Sequence, residues 1–299
     1  MISTLVLTRN EEDDLPGCLA SLDWCDDVHV FDSQSEDGTV EVARAAGASV
    51  SQRRFDNYAA QRNAALATLP FRHPWVLSVD ADERIPDALA AEIRTFAASA
   101  PDSVAAARIR RRDFYLGRWL RHAQISPYFV RLVRTGRARY EREINEVLVA
   151  EGEIATLREP FDHFPFSKGL GHWIARHNRY SSMEAERALA ERAQAGAFTW
   201  RAALLDPDFN GRRRHQKGLF YRAPARPLLK LAYMLAYRRA FLDGWPGVHY
   251  ALLQTIYEYF IVAKEREIAT ARAASPFRQA ERRPGVPRAL ADAGPTKAR

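Results

Sequence analysis

Polar and apolar positions follow two alternating rhythms over the first 110 residues. Ile2-Ser3-Thr4-Leu5-Val6-Leu7 is a short run rich in β-formers. Val28-His29-Val30-Phe31, Ala48 to Gln52, Trp75-Val76-Leu77-Ser78-Val79 and Val104 to Arg110 repeat that character. Between these runs the pattern turns helical. Asn10 opens a helix with Leu15, Leu19 and Leu22 on one face, and a second helix runs from Asp37 or Thr39 to Ala46. A third spans Asn57 to Leu69 and a fourth runs from Pro86 to about Ala98. The punctuation agrees: Gly47 suits the position after a helix end, Pro70 stops the third helix, and Pro86 suits a first turn. Strands alternating with helices predict an α/β fold, a Rossmann-like and mostly parallel sheet flanked by helices. Such sheets bind ligands beyond the carboxyl ends of their strands, where Thr8, Asp32 and Asp80 fall.

The pattern then changes. Tyr128 to about Leu157 reads as shorter strands, and from Gly169 onward the chain reads as helix. Leu228, Leu231, Leu235 and Leu242 share one helical face, and Leu252, Ile256, Tyr259 and Ala263 share another. Tyr233, Tyr237, Arg238, Arg239 and Trp245 flank them, which fits helices lying in a membrane interface. The alternative is a helical pair packed on the α/β domain or on a second subunit. Lys230, Arg238, Gln254 and Glu258 interrupt the apolar runs, so these helices do not span a bilayer. From Ser275 the chain loses periodicity and reads as a disordered tail. The expected organisation is the α/β domain over 1–168, a C-terminal helical extension over 169–274 and a tail over 275–299.

Composition adds bounds rather than detail. Of 299 residues, 47% are hydrophobic and 27% charged, as in soluble globular proteins. The formal net charge of +7 suits phosphates, nucleic acid or an anionic membrane surface. Cys18 and Cys25 form no CxxC pair, so they read as plain buried or half-buried thiols. Met1 to Thr8 lacks the basic and long apolar regions of a signal peptide, and the expected location is cytoplasmic. The basic runs Arg108 to Arg112 and Arg212 to Arg214 read as solvated surface, or as contacts to an anionic acceptor or lipid. No zinc finger, RRM or helix-turn-helix signature accompanies them, so no nucleic acid is expected as a partner.

Asp80-Ala81-Asp82 directly follows the fourth strand. Two carboxylates flanking a small residue suit Mg²⁺ or Mn²⁺, which take one or two protein carboxylates together with diphosphate oxygens. On composition alone the triplet reads as an acidic turn capping the helix near Pro86. Its position at the strand edge favours the phosphate reading.

Four motifs now stand in order: Thr8-Arg9-Asn10-Glu11-Glu12, Phe31 to Thr39, Gln61-Arg62-Asn63, and Leu77 to Glu83. Together they resemble the family 2 glycosyltransferases of GT-A fold, and more narrowly the bacterial lipopolysaccharide core β-1,4-glucosyltransferase group. Ile144-Asn145-Glu146, Asp162-His163-Phe164 and Phe241-Leu242-Asp243-Gly244 with Gly247 extend the resemblance to about residue 265. The resemblance implies inverting, metal-dependent transfer of a hexose, glucose above others, from a UDP-sugar. The implied acceptor is a lipid-linked saccharide such as the lipopolysaccharide inner core, met by a peripheral protein on the inner face of the cytoplasmic membrane.

The resemblance also implies roles for residues. Thr8, Asn10 and Glu11 border the nucleotide, Asp32 meets the uracil or its surroundings, and Asn63, on the following helix, joins them as a nucleotide-sugar contact. Asp82 ligates the metal, and Asp80 helps to hold both nucleotide and metal. Glu146 stands where the family places its catalytic base, which takes the acceptor proton during inversion. Many relatives read His-Glu there, whereas this chain reads Asn145-Glu146. His163 is a further candidate metal ligand, against the plain reading of a structural histidine, and Lys168 a candidate phosphate contact. Asp32 is alternatively an Asx-turn acceptor, and Gln61 and Asn63 a solvated helix face. Two other functions compete: a same-fold transferase acting on a polyprenyl phosphate or capsule or exopolysaccharide acceptor, and a non-catalytic or nucleic-acid-binding protein.

Overall fold

The structure is a computed structural model that describes residues 2–141, 147–194, 199–223 and 225–281. It divides into two compact units, Met1–Ala175 with Ala232–Leu252, and Arg176–Leu231 with Leu253–Arg299. Residues 232–252 thus return to the first unit, which the linear boundaries at 168 and 274 did not anticipate.

The first unit is built on one mixed sheet. Strands β1 (Ile2–Thr8), β2 (Val28–Asp32), β3 (Ser49–Gln52) and β4 (Trp75–Asp80) pair in parallel in the order β3-β2-β1-β4. The short β5 (Glu83–Arg84) follows, then β6 (Val104–Tyr115), with β7 (Arg118–Trp119) against it. Strand β8 (Tyr128–Arg134) inserts antiparallel between β4 and β6, so the sheet is mixed. Strands β9 (Ala138–Glu141) and β10 (Val147–Ala150) pair with each other, and β11 (Glu153–Thr156) joins β6. Strand β12 (Phe161–His163) runs parallel to β6 and antiparallel to β5.

The sheet is buried on both faces, which is why its strands read as near-continuous apolar runs. One face packs Val6, Val30, Leu77, Val79, Ile109 and Leu132 with residues of helices α1 (Leu15–Ala20) and α4 (Asp87–Ser99). The other packs Leu5, Phe31, Val76, Ala106 and Val133 on Ala65 and Leu69, the side of α3 (Tyr58–Thr68). Helix α2 (Thr39–Ala45) lies between β2 and β3 in the chain. Asn57 caps α3 by accepting from the Ala60 amide at 2.8 Å. The first helix is shorter than the periodicity suggests: Asn10 has φ of 56° and belongs to a loop, and the helix starts at Leu15. Cys18 is buried and Cys25 half-buried, both unpaired, as expected.

Beyond the sheet, α5 (Gly169–Gln194), α6 (Trp200–Leu205), α7 (Phe209–Arg222), α8 (Arg226–Ala232) and α9 (Gly244–Glu281) follow. Leu228 and Leu242 do not share one helix, because α8 passes into a π-helical turn at Tyr233–Tyr237 and a 3₁₀ turn at Ala240–Asp243. The expected tail begins too early, since α9 continues through Glu281; the remainder lies outside the described residues. In the second unit, buried Arg226 is paired with Glu258 at 2.6 Å and Glu265 at 2.8 Å. Among the described residues, no helix is long and apolar enough to cross a membrane.

Candidate active site

Parallel pairing sets the strand ends level. Thr8 is registered with Asp32 and Leu7 with Asp80, so the ends of β1, β2 and β4 form one edge. Thr8, Asp32 and Asp80 do stand together there. What their side chains do differs from residue to residue.

Asp32 is buried and spends its oxygens within the protein. It accepts from Thr8 Oγ1 at 2.9 Å, Gln52 Nε2 at 2.9 Å, and the Ser35 amide at 2.9 Å and hydroxyl at 2.5 Å. Burial works to raise its pKa, and these bonds outweigh it and lower it. This is the Asx-turn arrangement, which shapes the Ser33 to Asp37 loop. Asn10 closes the same loop: its amide donates to Ser35 Oγ and its side chain accepts from the Glu36 amide, both at 2.8 Å. Glu11 accepts from Lys168 Nζ at 2.9 Å, and burial nevertheless raises its pKa to about 7. Lys168 also donates to the Asn10 carbonyl, so it ties the loop rather than reaching outward. Asn63 is no solvated helix residue. Its amide group donates to the Tyr140 carbonyl at 2.8 Å and accepts from the Tyr140 amide at 2.7 Å, bracing α3 on β9.

The acidic triplet sits in a lattice of charges. Asp80 Oδ1 accepts from Arg62 at 3.0 Å and Oδ2 from Arg131 at 2.8 Å. Arg131 also pairs with buried Glu83, and Glu83 accepts from the Asp80 amide at 2.9 Å. The two arginines overcome the effect of burial and hold the Asp80 carboxyl below its usual range. Both Asp80 oxygens accept from guanidinium groups, and the carboxylate anchors the turn. Arg62 and Arg131 are residues of this charge lattice that sequence reasoning missed. Arg62 lay within a quoted motif, whereas Arg131 carries no local signal.

Asp82 stands apart from this lattice. Its Oδ2 lies 3.3 Å from His163 Nε2, and its backbone carbonyl accepts from the Phe164 amide at 2.9 Å. On the other side, His163 Nδ1 lies 2.6 Å from buried Asp113, aligned with it in the β6–β12 register. The row Asp113–His163–Asp82 therefore joins three elements. Burial opposes a charged ring, but the bonds to Asp113 and Asp82 outweigh it and raise the His163 pKa to about 9. Asp113 was also missed, hidden at the end of an arginine run. That run is largely paired: Arg111 lies 3.0 Å from Asp113, and Arg112 2.6 Å from Asp162.

The donor set can be tested against a divalent cation. Among the described residues, no three His, Cys, Asp or Glu side chains converge as a metal cage. Once a cation displaces the Nε2 proton, Asp82 and His163 would offer one oxygen and one nitrogen 3.3 Å apart, near the separation of adjacent ligands about 2.1 Å from an octahedral ion. Asp113 behind His163 is the carboxylate partner that a ligating imidazole usually has. The pair fits a cation that takes its other ligands from a diphosphate and water. Asn145 and Glu146, the expected base, lie outside the described residues; β9 and β10 flank their segment.

Beside the row lies a cavity of about 320 Å³ lined by Asp14, Arg84, Phe114, Tyr115, Phe164 and Phe166, among others. Arg84 braces it, donating to the Ala81 and Asp14 carbonyls at 2.8 and 2.9 Å.

Comparison with known proteins places this geometry in context. The sequence profile of Glycosyl transferase family 2 matches residues 3–164. The lipopolysaccharide core biosynthesis glycosyltransferase LpsC of Rhizobium meliloti (strain 1021) is 29% identical over 196 residues, 62% of this chain and 71% of that protein. The uncharacterized glycosyltransferase RT0209 of Rickettsia typhi is 34% identical over 118 residues, 39% of this chain and 40% of that protein. The chain thus spans under half the length of this second relative. Among solved structures, the Mycobacterium tuberculosis glucosyl-3-phosphoglycerate synthase in complex with Mn²⁺, UDP-glucose and phosphoglyceric acid aligns at a TM-score of 0.31. It is 21% identical, over 39% of this chain and 44% of that one.

Proposed function

This chain belongs to glycosyl transferase family 2 and is a glycosyltransferase, and from that premise we propose that it moves a hexose, glucose above others, from a UDP-sugar to a lipid-linked saccharide with inversion. The observation that carries the reading is the Asp113–His163–Asp82 row at the sheet edge, next to an Asp80 already neutralised by two arginines. Asp82 and His163 would hold Mg²⁺ or Mn²⁺, which when bound offsets the negative charge that builds on a departing nucleoside diphosphate.

The chain's own residues supply the rest. Asp113 fixes the ring of His163, so that Nε2 faces Asp82. Arg62, Arg131 and Glu83 hold the Asp80 to Glu83 turn, which sets the position of Asp82. The loop ordered by Asp32 and Asn10 borders the nucleotide, with Thr8 beneath it. Glu146 is the proposed base that accepts the acceptor hydroxyl proton as that oxygen attacks the anomeric carbon. The likeness to LpsC supports a lipopolysaccharide core acceptor, with the protein working peripherally at a membrane surface.

The test is nucleotide release with a panel of UDP-sugars and saccharide acceptors, with and without Mn²⁺ or Mg²⁺. One UDP-sugar should support metal-dependent turnover, and Asp82→Ala should lower it at least about 100-fold, the scale of a lost charge-stabilising group. Full metal-dependent activity in Asp82→Ala would sink the site assignment.

A further inference from the structure

Residues 232–252 return to the catalytic unit bearing an apolar surface turned to solvent. Tyr233, Tyr237, Phe241, Leu242 and Trp245 are 44%, 76%, 54%, 46% and 63% exposed. A concentration of large side chains in so short a stretch is unusual on a surface that faces only water. The backbone beneath them is irregular, a π-helical turn followed by a 3₁₀ turn, with Arg239 at φ of 56°.

This stretch is held open by specific bonds. Buried Asp243 accepts from the His122 and Ala123 amides at 2.8 and 2.7 Å, and its other oxygen lies 2.7 Å from His122 Nδ1. Arg238 donates to the His122 and Gln124 carbonyls at 2.9 and 2.8 Å. Met234, Ala240 and Tyr250 are buried beneath. At Gly247 a Cβ would collide with the Ala240 carbonyl, so the chain passes there without a side chain. Five bonds and a tight backbone crossing present the aromatic residues outward, where a flexible loop could have folded them in.

The charge around them is one-sided. The segment that receives these bonds exposes Leu116 and Ile125, together with Arg118 and Arg121. No Asp or Glu occurs between residues 114 and 140. Between 232 and 252 the only acid is Asp243, which is buried against His122. Arg118, Arg121 and Arg239 are exposed, and the Arg121 guanidinium lies 5.7 Å from the Trp119 ring centre. Tyr and Trp favour the boundary between headgroups and acyl chains, and arginine favours anionic headgroups.

We propose that Tyr233, Tyr237, Phe241, Leu242 and Trp245, with Arg118, Arg121 and Arg239, form a docking face for an anionic lipid bilayer. The aromatic side chains enter the headgroup region and the arginines meet lipid phosphates. The face rests on the reading above in one respect: a lipid-linked acceptor requires the catalytic unit to work at a bilayer. Vesicle binding is measured without turnover, so either idea can fail alone.

The experiment is flotation of the full chain with phosphatidylcholine vesicles and with vesicles containing phosphatidylglycerol, at low and high salt. The wild-type chain should float with the anionic vesicles, and less so as salt rises. Tyr237→Ser/Phe241→Ser/Trp245→Ser should reduce partitioning at least about 30-fold, because it removes the apolar area that enters the bilayer. Arg121→Glu/Arg239→Glu should reduce it at least about 25-fold on anionic vesicles, at about fivefold per arginine. Near-UV circular dichroism monitors the fold; if the triple variant melts early, Trp245→Ala alone should still show about a fivefold loss. Three results overturn the proposal: no flotation of the wild-type chain, equal flotation of variants and wild type, or light scattering that shows a dimer dissolved by the same exchanges.

Discussion

Arg131→Met isolates the charge lattice under the acidic turn. Arg131 is 8% exposed on β8 and pairs with Asp80 Oδ2 at 2.8 Å and with Glu83. After the exchange Asp80 keeps Arg62 at 3.0 Å, whereas Glu83, 2% exposed, loses its cation. Removing one partner of a buried pair destabilises by about 3–5 kcal/mol. For a unit of this size that lowers the melting temperature by roughly 10 °C. Adding Glu83→Gln removes the stranded charge, so the double variant should recover about 2 kcal/mol relative to the sum of the single exchanges. The pH dependence has a definite sign. In the wild type burial already lifts the Glu83 carboxyl to about 7 against the pull of Arg131, and Arg131→Met removes that pull and lifts it further, so the protonated form is the one the variant tolerates. The deficit relative to wild type should therefore shrink as pH falls toward about 7 and level off below it, where wild-type Glu83 is protonated as well. Urea denaturation of the four members of the cycle at each pH is the assay. A loss below about 1 kcal/mol for the single variant, or strict additivity in the double, would refute the argument.

Three further outcomes follow from other sites. Asp113→Asn should weaken Mn²⁺ binding in the presence of UDP by about 10–100-fold, since it frees the His163 ring; unchanged calorimetric affinity would remove Asp113 from the site. Asp27 is buried and bonded to Ser3 and Arg72, and against the effect of burial these bonds hold its pKa at about 2. Because that value is depressed, its contribution of about 2 kcal/mol is complete above about pH 4 and lost as pH falls toward 2, a dependence that Asp27→Asn should flatten. Gly247→Ala should destabilise by about 1–3 kcal/mol through the clash with the Ala240 carbonyl, and an unchanged melting temperature would contradict that close approach.

Legibility varied with range. The strands over residues 2–8, 28–32, 49–52 and 75–80 match the apolar runs to within about a residue, because a parallel strand covered on both faces must be apolar throughout. The helix after Asn57 was equally plain, since its cap and its stop at Pro70 are local. Asn10 misled because an Asn ahead of periodic leucines looks like a cap, yet here it closes a loop against Ser35 and Glu36. Asn63 reads from sequence as a nucleotide contact or a solvated helix residue, because its partner, the Tyr140 backbone, is 77 residues away.

The alternation of apolar runs and helices, together with four short motifs, determined the α/β architecture, the family and the sheet edge that carries the acids. Those properties depend on local periodicity and on residue types near one another in the chain. Only the tertiary structure decided which partners each acid meets. Asp80 and Asp82 are indistinguishable in the triplet, and they separate because β8 brings Arg131 to one and β12 brings His163 to the other. Asp113, Arg131 and the return of residues 232–252 to the catalytic unit were decided in the same way. Each depends on pairing across 48 residues or more, as between Glu83 and Arg131, and no local pattern encodes such a pairing.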